Sequence, residues 1–153
     1  MEVYNSHGFS LSLSEQKTIV AKRIIKDPAN EGLPIWAYAH HDLGVHYERG
    51  WGVEKDLDKA RYHFEKAAKA GHLKACIEMA NYHAAGRTYI RKSDSKPIDY
   101  REANRYVGIG LNSSENSEFD IIYEGGKELL LEELRRLPGE ISFLREKRRM
   151  ENE

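Results

Sequence analysis

Cysteine is almost missing. Cys76 is the one thiol among 153 residues, so no intramolecular disulfide framework can form. A reducing compartment, the cytoplasm, suits that composition best. A surplus of basic charge is missing too: 24 Lys and Arg stand against 25 Asp and Glu, a net charge of −1. That balance argues against nucleic-acid binding, which relies on clustered cations to neutralise phosphates. No apolar run approaches the roughly 18–20 residues that span a bilayer, so no membrane insertion is expected. The start, Met1-Glu2-Val3-Tyr4-Asn5, has neither the basic beginning nor the apolar stretch of a secretory leader. A leader trimmed from the chain would make the periplasm the alternative. What remains, 32% charged and 40% apolar, is the balance of an ordinary globular chain whose length suits one domain over 1–153.

Internal repetition organises the middle of the chain. Shifting segment 36–71 by 36 residues maps Ala39 onto Ala75, Leu43 onto Met79, Gly44 onto Ala80 and Gly50 onto Gly86. A shift of 43 residues maps Asp56 onto Asp99, Ala60 onto Ala103, Phe64 onto Val107 and Ala67 onto Gly110. The difference of seven residues is an insertion after Gly86, in a polar loop over 87–98 that carries Ser93, Asp94, Ser95 and Pro97.

Each unit has helical periodicity. Trp36, His40, Leu43, Gly44 and Tyr47 share one face of a helix, and Leu57, Ala60, Phe64, Ala67 and Ala68 share one face of the next. The small residues Gly44, Ala60 and Ala67 let the two helices approach closely. Arg49-Gly50-Trp51-Gly52 supplies the turn, and Asp56 suits the start of the second helix, where its carboxylate can accept free backbone N–H groups. Ser12-Leu13-Ser14-Glu15 reads as a capping box opening a helix over 12–27, which Asp27-Pro28 ends. Towards the other end, Phe119, Ile122, Tyr123, Gly126, Leu130, Leu134 and Leu137 form one long stripe that Pro138-Gly139 is expected to break. A short helix at about 140–150 should follow, with Ile141 and Leu144 inward and basic residues outward.

Leu43-Gly44, Tyr47, Gly50, Gly52-Val53, Asp56, Lys59-Ala60, Phe64, Lys66-Ala67-Ala68, Gly71-His72 and Ala75 occur in an order that resembles the Sel1-like repeat, a relative of tetratricopeptide repeats. The resemblance is strong over about 36–75 and degraded over 76–111, where His83 stands in place of Tyr47. It implies an all-α fold: a short α-solenoid of helix pairs, with repeat 1 at 34–71 and a degenerate repeat 2 at 72–111. Capping helices at 12–27 and 115–150 would cover the open ends. It also implies a non-catalytic adaptor or regulator that binds another protein. The motif residues are structural, so the partner surface must lie between them. If the first helix of each pair lines the concave side, the candidates are Tyr38, His41, Asp42 and His46 in the first unit and Glu78 and Tyr82 in the second. The alternative for this strip is an ordinary solvated face. Trp51, between two glycines at a turn tip, either anchors a partner or folds back over the neighbouring helix pair.

No catalytic constellation is expected. His40, His41 and His46 share a helix without the i, i+3 or i, i+4 spacing that two ligands on one face require, so neither metal nor cofactor is expected. Cys76 falls in a buried stripe and reads as a structural thiol. Gly50-Trp51-Gly52 lacks the third glycine, the strand and the lysine of a phosphate loop. An enzyme would need His46, His83 and a carboxylate to converge in one pocket. A bacterial immunity protein that caps one secreted toxin is a narrower form of the binding reading. Self-association into a homo-dimer through open repeat faces is a third.

Overall fold

A computed structural model describes residues 10–123 and 125–153; Met1–Asn5, read above for a leader, lie outside them. The first helix, α1 (Leu13–Lys26), opens on the expected capping box. Glu15 N donates to Ser12 Oγ at 3.1 Å, and Ser12 N donates back to Glu15 Oε1 at 3.2 Å. Two backbone donors at the helix start are thereby satisfied by side chains three residues apart. After a single 3₁₀ turn at Pro28–Asn30 come α2 (Pro34–Arg49), α3 (Leu57–Lys69), α4 (Leu73–Ala84), α5 (Tyr100–Ser113) and α6 (Lys127–Glu151). A second 3₁₀ segment, Ser117–Tyr123, precedes α6. Each helix packs on the next in order, and α6 also reaches α4. The fold is all-α, a short solenoid of helix pairs.

The α2–α3 pair is close because Gly44 has no side chain. A Cβ there would lie 2.8 Å from two carbons of the Phe64 ring. Gly50 closes α2 in the left-handed conformation at φ 71°, and Asp56 opens α3 by accepting from the N–H groups of Asp58 and Lys59. Gly52, at φ 70°, brings the turn onto the start of α1, where a Cβ would fall 2.6 Å from the Ser14 carbonyl carbon.

The α4–α5 pair repeats this geometry. Asp56 N donates to Tyr47 O at 2.9 Å, and Asp99 N donates to His83 O at 2.8 Å. Tyr47 stacks on His63 and His83 stacks on Tyr106, each pair with ring centroids 5.6 Å apart. The tyrosine and histidine have exchanged helices between the two pairs, and the stack survives. The left-handed residue ending α4 is Ala85 at φ 51°, one position before the Gly86 that the repeat register predicts. An alanine in that conformation costs about 1–2 kcal/mol. Arg148 compensates, donating to Ala84 O at 2.6 Å and Ala85 O at 2.8 Å, and to Tyr100 Oη at 2.7 Å.

Three expectations are corrected. Pro138 does not break the C-terminal helix, since α6 runs from Lys127 to Glu151 through it. The pyrrolidine is exposed, while Leu137 and Ile141, one turn apart, are buried on either side of it and hold both halves to the core. The long stripe from Phe119 is not one helix: it is divided into the 3₁₀ segment and α6. Arg148 is not an outward basic residue but the clamp just described.

Candidate functional site

The strip predicted on α2 divides between surface and core. Tyr38 is 42% exposed, and Asp42, one turn further on, is half-buried. His46, a turn beyond, is buried at 4% exposure. Its Nδ1 donates to Trp51 O at 2.7 Å, and Thr18 Oγ1 lies 2.9 Å from the same nitrogen. Thr18 in turn donates to Ser14 O at 2.9 Å. His46 therefore ties α1, α2 and the turn together, and it corrects the expectation of a partner-facing residue. On its other side Nε2 stands 3.7 Å from Asp42 Oδ2. Burial raises the Asp42 pKa, and His46 and Lys17 oppose that shift. Trp51 lies at the end of this line, 45% exposed. Its ring rests under the Arg49 guanidinium at 4.6 Å and edge-on to His46 at 6.3 Å.

Beside Tyr38 and Asp42, α1 forms the opposite wall of a groove of about 300 Å³. Leu13, Gln16, Lys17, Val20, Ala21 and Ile24 line that wall, and Tyr38, Ala39 and Asp42 line the other. Leu13 is 66% exposed and Val20 53%. Sequence reasoning missed these α1 residues as site residues. The signal was present: α1 carries Leu13, Val20, Ala21 and Ile24 towards one side and also buries Thr18, more apolar surface than one neighbouring helix can cover.

The other candidates sit apart. His41 turns inward and stacks on His72 at 4.2 Å, with its Nε2 buried and without a hydrogen-bond partner. Burial, helped by His72 and Lys74, pushes its pKa well below the usual histidine value. Tyr82 is 1% exposed, because loop 87–98 covers it: Lys96 N donates to Tyr82 Oη at 3.1 Å and Arg91 Nη1 to Tyr82 O at 2.8 Å. Tyr82 is thus enclosed by its own chain, while His41 stays half-buried. Glu78 is half-buried and accepts from Thr88 Oγ1 at 3.3 Å. Burial, reinforced by Glu48, raises its pKa to about 7.

His46 and His83 do not converge. His83 lines a separate cleft of about 400 Å³, which Arg61, Glu65, Lys96, Glu102 and Tyr106 also line. Cys76 is buried, its Sγ donating to Ala68 O at 3.3 Å, and burial pushes its pKa up to about 12, so it is a structural thiol. His40 and His63, on different helices, meet with their Nδ1 atoms 2.9 Å apart, a pairing the sequence spacing did not show. Among the described residues no group of three His, Cys, Asp or Glu is placed to hold a metal ion, and no helix is long and apolar enough to cross a membrane.

Helix pairs stacked in order, with matching turn bonds and ring stacks, define a helical-repeat protein. Residues 37–72, from within α2 to the first cap of α4, match the Sel1 repeat family. Sel1 repeats are commonly protein-interaction modules rather than catalytic ones. Comparison with curated proteins and with solved structures gives no significant match.

Proposed function

We propose that the protein is a non-catalytic adaptor that docks a partner protein in the groove between α1 and α2. The observation that carries this reading is the groove itself: exposed Leu13, Val20 and Tyr38 stand together on the flank of the Sel1 repeat. Large apolar side chains gathered at a concave surface mark interaction sites, whereas single exposed ones do not. Trp51 extends the surface from the end of α2. In this reading α4 and α5 are a second, degenerate unit, α1 and α6 are caps, and α1 has a second role as one wall of the docking site. The cytoplasm is the setting we adopt, in keeping with one buried thiol.

The test is capture from a lysate of the native host by the tagged chain, compared with Val20→Asp and Tyr38→Ala. We expect one partner to be enriched by wild type and lost, by at least about tenfold, from both variants, as for central interface anchors. Equal recovery by all three proteins would show that the groove is not the docking site. A single secreted toxin as the captured partner would narrow the adaptor to an immunity protein.

A further inference from the structure

We propose that the occupant of the α1–α2 groove is an acidic amphipathic helix of another protein, an inference that rests on reading the groove as the docking site. The spacing of the anchors suits a helix. Leu13, Val20 and Ile24 succeed one another along one face of α1, and Tyr38 faces them from α2. A guest helix with apolar residues at i, i+4 and i+7 matches such a floor.

The charges select its sign. The carboxylates of the two framing helices are engaged inside the chain. Glu15 closes the capping box, Asp42 faces His46, and the Glu48 side chain, 13% exposed, lies 3.9 Å from Arg49. The cations make no such close pair, although Lys17 lies near enough to Asp42 to oppose the rise in its pKa. Lys17 lines the groove and Arg23 stands exposed on the same helix, and neither makes an ion pair within 4 Å among the described residues. A second copy of the chain, packing α1 against α1, would set these cations against one another, whereas carboxylates flanking a guest's apolar stripe would meet them.

The experiment is selection of a phage-displayed library of 16-residue helix-forming peptides on the immobilised full chain, with Val20→Asp as the counter-selection. Val20 is exposed, so this variant should fold, which circular dichroism verifies. We expect the enriched sequences to carry Glu or Asp beside an i, i+4, i+7 apolar stripe. The best of them, fluorescein-labelled, should bind wild type by anisotropy. Binding should weaken at least about tenfold on Lys17→Glu with Arg23→Glu. It should also weaken when the peptide's acids become lysines. Enriched peptides that are basic or neutral, yet still lost on Val20→Asp, would overturn the acidic partner and leave the groove standing. Peptides that bind Val20→Asp as well as wild type would overturn both readings, as would a library with no enrichment. Light scattering is the last arm: a dimer in wild type that Val20→Asp turns to monomer would make a second copy the occupant and overturn the proposal.

Discussion

Gly44 shows how much one missing atom can decide. Replacing it by alanine gains helix propensity, about 1 kcal/mol, because glycine loses more backbone freedom on folding. It also drives a methyl group to within 2.8 Å of the Phe64 ring, whose side chain is 1% exposed and has no open side to move into. Overpacking of that kind costs about 1–3 kcal/mol. The clash should prevail, so Gly44→Ala is expected to lower stability by about 1 kcal/mol in urea titration. A variant as stable as wild type would mean that α2 and α3 can separate without penalty.

At the scale of the element, α6 depends on one guanidinium. Arg148 satisfies two carbonyls at the end of α4 and the Tyr100 hydroxyl, so Arg148→Met keeps the stem and removes all three bonds. Hydrogen bonds to a charged group contribute about 1.5–3 kcal/mol, and the loss should fall in that range. Hydrogen exchange should quicken in the second half of α6 and the last turn of α4; unchanged protection there would refute the clamp. No sequence pattern announces this contact, because its partners are backbone atoms more than sixty residues away. The same limit explains Pro138. Local chemistry reads it as a break, and only the burial of Leu137 and Ile141 by other helices keeps α6 continuous. By contrast, the caps Ser12 and Asp56 and the turn at Gly50 were legible, since each acts on neighbours within a few residues. The candidate site was legible in part. Tyr38 and Asp42 lie where helical spacing puts them. What covers Tyr82 and His41, and which wall faces Tyr38, depends on segments that periodicity within one helix does not connect.

For the whole molecule, the buried histidines set how stability responds to acid. Burial is the largest cause of each shift: it brings His40 and His63 down to about 4 and His72 to about 3, and it lowers His41 and His83 as well. The unfolded chain binds these protons near 6.5 and the folded chain only at lower pH. Stability is therefore fully present above 6.5 and is lost as pH falls towards 4. Glu78 works in the opposite sense. Its raised pKa, about 7, gives stability that is present below the unfolded value near 4.5 and lost as pH rises through 7. Five histidines outweigh it. Thermal melts should show the midpoint falling by about 10 °C between pH 7 and pH 5, if each histidine contributes on the order of 1 kcal/mol. A flat or rising midpoint over that interval would contradict the assignment. In the same melts at pH 8, Glu78→Gln should melt higher than wild type.

The Arg148 clamp also orders events in time. A ribosome releases α2 and α3 as neighbours, and their contacts are local enough to form as soon as both have emerged. The end of α4 emerges soon afterwards and can close its own backbone, Gly86 N donating to Asn81 O, but the Ala84 and Ala85 carbonyls lack their guanidinium until synthesis has proceeded through Arg148, 64 residues beyond Ala84. During that interval the nascent chain has a finished first helix pair and an unfinished second one.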